Sequence, residues 1–145
     1  MADKVILAYS GGLDTSVAIR WLKETYGLEV VTLTADVGNE RDIQAVAARA
    51  RAIGVANAIT IDARHDFLTY FVWPALQANA LYEGAYPLAT ALARPLIAKL
   101  LVDVARQEGA IAVAHGCTGK GNDQVRFDVS LMALAPDLKI IAPVR

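Results

Sequence analysis

The stretch 4–16, KVILAYSGGLDTS, decides how this chain is read. Lys4–Tyr9 is a short apolar, β-branched run that ends in turn-forming residues, the signature of a strand. Thr15–Tyr26 then carries Val17, Ala18, Trp21 and Leu22 as one helical stripe. A strand that passes through glycines directly into a helix leaves backbone N–H groups free at the helix start, where the peptide dipoles add partial positive charge. Gly11 and Gly12 lack a Cβ, so the backbone there can take positive φ and come close to an anion. Ser10, Thr15 and Ser16 add hydroxyl donors, and Asp14 is placed to cap the helix and to approach a phosphate-bound Mg²⁺. Ala8, Tyr9, Ser10, Gly11, Gly12, Leu13, Asp14, Thr15 and Ser16 therefore read as a cradle for the pyrophosphate of ATP. The Gly-Lys-Ser/Thr ending of a Walker A loop and the GxGxxG spacing of a dinucleotide loop are both absent.

Outward from this loop, strands alternate with helices. Glu29–Val37, Ala58–Ala63, Ala110–His115 and Lys139–Val144 are near-continuously apolar, as expected of strands covered on both faces. Between them, Arg41–Ile53 repeats apolar residues at Ile43, Val46, Ala47, Ala50 and Ile53, and Gly54 is its natural stop. His65–Ala78 carries Phe67, Leu68, Phe71 and Val72, with Pro74 expected to kink or divide it. Pro95 suits the first turn of a helix to Glu108, with Leu96, Ile97, Leu100, Leu101 and Val104 facing inward. Gln124–Leu134 completes the set. The expectation is one α/β domain of three layers, a five-stranded parallel sheet with helices on both faces. Ligands in such sheets bind beyond the carboxyl ends of the strands, at a switch point. The segment Asn79–Arg94 is the least regular and, with Gly84, Tyr86 and Pro87, reads as a functional loop.

Composition bounds the partners. The 145 residues are 55% apolar and 20% charged, which excludes disorder, and the net charge of −1 argues against a nucleic-acid surface. Anions must be held by local geometry. Cys117 is the single cysteine, so no internal disulfide forms and no paired spacing for a metal exists. The apolar run before Gly11 is too short for a signal peptide or a membrane span, so a soluble cytoplasmic protein without membrane or nucleic-acid partners is expected.

A second glycine-rich loop follows the fourth strand: His115-Gly116-Cys117-Thr118-Gly119-Lys120-Gly121-Asn122-Asp123-Gln124-Val125-Arg126. In a parallel sheet it leaves on the same rim as the first loop. Lys120 can neutralise a phosphate, and Thr118, Asn122, Asp123 and Arg126 form a dense polar set. Asp123 can cap the following helix or hold a substrate ammonium group. His115 can close the strand through a structural hydrogen bond or take part in binding, and Cys117 reads as a small filler.

The first loop resembles the SGGxDS loop of PP-loop ATP pyrophosphatases, which implies the nucleotide α-hydrolase-like (HUP) fold with strand order 3-2-1-4-5. Five strings together resemble the argininosuccinate synthase family: LAYSGGLDTS, Trp73-Pro74, LYEGAYPL with ALARP, HGCTGKGNDQVRF and KIIAPVR. The resemblance implies a carbon–nitrogen ligase of arginine biosynthesis. ATP, with Mg²⁺, activates the ureido oxygen of citrulline as citrullyl-AMP and releases pyrophosphate. The aspartate amine then displaces AMP. Carried over residue by residue, the family's ATP site takes Ala8 to Ser16, Ala35 and Gly116. Its aspartate site takes Thr118, Asn122 and Asp123, and its citrulline site takes Tyr86, Asn122 and Arg126. No catalytic residue and no resident metal is implied. Ala89 and Ala91 depart from the family's glycine and serine before LARP, with Thr90 the nearest replacement hydroxyl for citrulline. Asn39, Cys117 and Val144 also depart from the commoner residues. The family has a second, larger domain and is a homotetramer, so residues 1–145 correspond to its nucleotide-binding domain. The alternatives are an isolated ATP- or AMP-binding module without catalysis and another PP-loop adenylating enzyme.

Overall fold

A computed structural model describes residues 2–38 and 42–145. The expected helix start at Arg41 and the departure at Asn39 lie outside the described residues. The strands are β1 Lys4–Ala8, β2 Glu29–Asp36, β3 Asn57–Asp62, β4 Ala112–Ala114 and β5 Lys139–Ile141. They form one five-stranded sheet in the order β3-β2-β1-β4-β5. Every pairing is parallel, with Leu7 of β1 opposite Thr32 of β2 on one side and Ala114 of β4 on the other. This is the architecture expected from the sequence.

The alternation of β1 divides the core. Val5, Ile6 and Leu7 are all completely buried. Ile6 packs with Val31, Leu33 and Val113 on one face, and Val5 and Leu7 pack with Val30, Ala112 and Ala114 on the other. The Ile6 face is covered by α5 (Ala89–Glu108) through Leu96, Leu101 and Val104, and by α6 (Asn122–Leu134) through Phe127 and Leu131. The opposite face is covered by α1 (Leu13–Tyr26) through Ala18, Ile19 and Leu22, and by α2 (Ile43–Ile53) through Val46, Ala47 and Ala50. The chain runs outward from β1 to β3 and then returns across the sheet through α5 to β4, so the winding direction reverses between β1 and β4.

Local chemistry explains where helices begin and where the expectations shift. Asp42 caps α2, accepting from the N–H groups of Gln44 and Ala45 at 3.0 and 3.1 Å, and α2 stops at Gly54 as read from the sequence. On α1 the buried stripe is Thr15, Ala18, Ile19 and Leu22, whereas Val17 and Trp21 are exposed. Because α1 starts at Leu13 with Gly12 as its cap, Asp14 lies inside the first turn and caps nothing. Residues 64–77 form α3 (Arg64–Phe67), a π-helical segment Leu68–Val72 and α4 (Trp73–Gln77), with Leu68 exposed. The Trp73 N–H donates to the Leu68 carbonyl, so the wider turn comes immediately before Pro74.

Pro95 does not open α5. The helix begins six residues earlier, after Leu88 in the left-handed conformation at φ 59°, because Ala89, Ala91, Leu92 and Ala93 are strong helix formers. Pro95 costs it one backbone hydrogen bond. The irregular stretch therefore ends at Leu88, and it holds a single antiparallel bridge, Tyr82 to Tyr86.

Since Ile6 sits centrally with no solvent contact, Ile6→Ala should lower the unfolding free energy by about 2–5 kcal/mol. Equilibrium urea denaturation reads this directly, and a loss near zero would contradict the placement of β1 at the centre.

Candidate functional site

Both glycine loops leave the carboxyl rim at the point where the winding reverses. The first is held by its own hydroxyls. Ser16 Oγ donates to the Gly12 carbonyl at 2.8 Å and lies 3.0 Å from the Tyr9 hydroxyl. Ser10 Oγ and Thr15 Oγ1 are 3.4 Å apart, and Thr34 Oγ1 donates to the Tyr9 carbonyl at 3.0 Å. Gly11 has φ 75°, a backbone that favours glycine, and a Cβ there would press on both Val46 methyls at 3.1 Å. Gly12 differs from the expectation: its φ of −77° is extended, because it serves as the helix cap and needs no left-handed backbone.

The second loop meets the first at Gly116. A Cβ added at Gly116 would stand 2.8 Å from Thr15 Cγ2, closer than van der Waals contact allows. Buried His115 anchors this loop at its root. The Cys117 N–H donates to His115 Nδ1 at 3.3 Å, which places the proton on Nε2, 3.1 Å from Asp128 Oδ1. Asp128 also accepts from Gln124 at 2.9 Å and from Arg145, and the imidazole stacks on Phe127. His115 is thus a structural anchor and, at the same time, a wall of the cavity.

Between the loops lies a cavity of about 640 Å³, a size that suits a small organic ligand. Of the residues singled out in the sequence, Ala8, Tyr9, Ser10, Thr15, Ala35, Gly116, Thr118, Asn122 and Asp123 line it. Gly11, Gly12, Leu13, Asp14 and Ser16 do not, since the helix start turns them to the outer side, where Leu13 and Asp14 are exposed. Tyr86, Thr90 and Arg126 are not lining residues either. Tyr86 is exposed on its bridge with Tyr82, and Arg126 reaches the site only through Asp123. The sequence reading missed the apolar wall from Leu33, Val37, Ile43, Val46, Ile97 and Phe127, and it missed Thr34 and Arg94. Arg94 was visible only as a letter of ALARP.

Charge at the cavity mouth is concentrated on one carboxylate. Arg94 Nε and Nη2 donate to Asp123 Oδ2 at 3.0 and 2.8 Å, and Arg126 Nη1 donates to Oδ1 at 2.7 Å. Asp123 is therefore not a helix cap: it lies one residue inside α6, and the two guanidiniums outbid the helix N–H groups for it. Burial alone would raise its carboxyl, but the hydrogen bonds from Arg94 and Arg126 carry it below its ordinary value. Asp128 behaves likewise, with burial opposed and outweighed by Gln124, His115 and the charge of Arg145. Burial lowers the His115 imidazole despite Asp128, and burial pushes the Cys117 thiol up, so the imidazole is neutral and the thiol protonated near pH 7. No group of three or more metal-binding side chains stands together among the described residues.

A parallel β3-β2-β1-β4-β5 sheet with glycine loops at its switch point defines a HUP domain, and comparison with known proteins gives the family. The family model described as the arginosuccinate synthase N-terminal HUP domain matches residues 4–145. The argininosuccinate synthase of Dehalococcoides mccartyi is 60% identical over 145 residues, which is 100% of this chain and 36% of that protein. That of Brevibacillus brevis is 59% identical over 143 residues, 99% of this chain and 34% of the relative. This chain belongs to the argininosuccinate synthase family. It spans about a third of the length of these curated relatives. Among solved structures, the crystal structure of a predicted subunit of tRNA methyltransferase from Methanocaldococcus jannaschii aligns with a TM-score of 0.67. It covers 98% of this chain and 69% of its own at 18% identity, a likeness of fold alone.

Two outcomes follow from this geometry. Gly116→Ala should force the loops apart and cost about 1–3 kcal/mol, because Thr15 is β-branched and cannot swing aside. Thermal melts beside the unchanged protein test this, and an undiminished midpoint would deny the contact. Acid should weaken the fold through His115, whose folded-state value lies below the ordinary 6.5. As the pH falls from 6.5 towards that lower value, the unfolded chain binds the proton that the folded chain refuses, so stability is lost in this window. Urea titrations between pH 7.5 and 5 should show a smaller fall for His115→Gln than for the unchanged protein.

Proposed function

We propose that this chain is the ATP-binding portion of an enzyme that joins citrulline to aspartate, forming argininosuccinate through citrullyl-AMP. The observation that carries the reading is the meeting of the two glycine loops at Gly116 and Thr15, over a cavity at the switch point of a parallel sheet. In this reading the apolar wall from Leu33, Ala35, Val37 and Ile97 receives the adenine. The triphosphate extends to the start of α1, where Leu13, Asp14 and Thr15 offer N–H groups, those of Gly12 and Ser16 being engaged by Ser10 Oγ and the Gly12 carbonyl, and Mg²⁺ accompanies the phosphates.

The chemistry converts a poor leaving group into a good one. The ureido oxygen of citrulline attacks the α-phosphorus, the bond to the bridging oxygen breaks, and pyrophosphate departs. The aspartate amine then attacks the ureido carbon, loses a proton, and AMP leaves. What these residues supply is orientation and charge stabilisation. Thr118, Asn122 and Asp123 hold aspartate, with Asp123 exchanging part of its arginine pairing for the substrate ammonium group. Arg126, Asn122, Tyr86 and Thr90 are assigned to citrulline. This domain performs its steps in the cytoplasm and, in the complete enzyme, within a homotetramer whose second domain completes the citrulline site.

The position of Tyr86 and Thr90 outside the cavity favours a second reading for residues 1–145 taken alone, a nucleotide-binding module without turnover. Isothermal titration with Mg-ATP, followed by citrulline and aspartate with a pyrophosphate assay, separates the two. Micromolar to millimolar ATP binding is expected, about −8 to −4 kcal/mol. ATP binding without pyrophosphate release would favour the module, and no ATP binding would overturn both readings.

A further inference from the structure

The nucleotide reading leaves a charge imbalance at the first loop. A nucleoside triphosphate is a polyanion, whereas the loop offers only neutral hydroxyls and N–H groups, and Asp14 adds a negative charge in the first turn of α1. Lys120, the cation that the sequence offers, is exposed on the second loop, whereas the first loop carries no cation of its own.

A cation does stand at the first loop, supplied by a different element. Arg49 projects from the middle of α2, and its Nη1 donates to the Gly11 carbonyl at 2.5 Å. The same nitrogen is 3.5 Å from the point a Gly11 Cβ would occupy, next to the Val46 methyls that wall the cavity. Arg64, Arg94, Arg106, Arg126 and Arg145 are each paired with an aspartate. Arg49 is exposed and, like Lys120, is not a lining residue of the cavity; it has no carboxylate partner among the described residues, and its bond to Gly11 engages one of its five N–H donors.

We infer that Arg49 is a phosphate-binding residue: held over Gly11 by the loop carbonyl, its guanidinium supplies the positive charge for the two terminal phosphates of the bound triphosphate. The inference rests on the ATP reading given above. A planar fork of donors matches pairs of phosphate oxygens, and charge-assisted bonds of this kind are about twice as strong as neutral ones. Because α2 carries both Val46 and Arg49, one helix shapes the cavity wall and charges the loop beside it. A role confined to holding α2 against Gly11 makes a different prediction: it would weaken a monophosphate and a triphosphate alike.

The test is isothermal titration of the full 145-residue chain with Mg-ATP, AMP and inorganic pyrophosphate. Arg49→Gln should weaken ATP and pyrophosphate by about tenfold or more and change AMP by less than about twofold. Arg49→Lys, which keeps the charge, should recover part of the loss. Arg49→Met keeps the apolar stem against Val46 and replaces the Gln variant if that one melts early. Unaltered ATP and pyrophosphate affinity, or an equal loss for AMP, would overturn the inference while the unchanged protein's ATP binding leaves the nucleotide reading standing. Failure of the unchanged protein to bind ATP would remove both.

Discussion

The contact of Gly116 with Thr15 is the constraint on which the site depends. A parallel sheet that reverses its winding between β1 and β4 brings two loops to one rim, and nothing in that topology alone sets how near they come. The absent side chain at Gly116 does: the second loop seats directly on the start of α1. With that distance fixed, the cavity has one end at the helix start and the other at Asp123. The buried strand β1 beneath it makes the floor rigid, because Val5, Ile6 and Leu7 have no solvent to move into.

Charge pairing supports the same arrangement from the other side. Arg94 reaches from α5 and Arg126 from α6 to a single carboxylate, so two helices that cover one face of the sheet are cross-linked at the cavity mouth. Asp128 performs a similar service one turn along α6, joining His115, Gln124 and Arg145. These side chains are only partly buried, and the surrounding water limits what each pair adds to stability. Their larger effect is to hold loop geometry, since each acid fixes groups from separate parts of the chain.

Much of this was legible in the sequence. Continuous apolar runs gave five strands whose starts and ends shift by at most a few residues, and the glycines of both loops pointed to the rim. Terminal signals that depend on neighbours a few residues away, such as Gly54 after α2, were also readable. What escaped was set by contacts across the chain or by competition between local rules. Pro95 looked like a helix opener, but the alanines before it extend α5 backward at the cost of one hydrogen bond. Asp123 looked like a cap, but Arg94, 29 residues earlier, claims it. Val17 and Trp21 fitted a helical stripe, yet the sheet lies on the neighbouring one that contains Ile19.

The hydroxyls of the first loop have a thermodynamic consequence. Tyr9, Ser10, Thr15 and Ser16 already satisfy one another and the Gly12 carbonyl. A ligand that takes any of them trades one hydrogen bond for another, so the count is conserved and the enthalpy gained from hydroxyls is small. Discrimination then falls to groups not committed in advance, the backbone N–H array and nearby cations. The hydroxyl cluster works instead as a mould: it holds the loop in shape and reduces the ordering entropy that binding would otherwise cost.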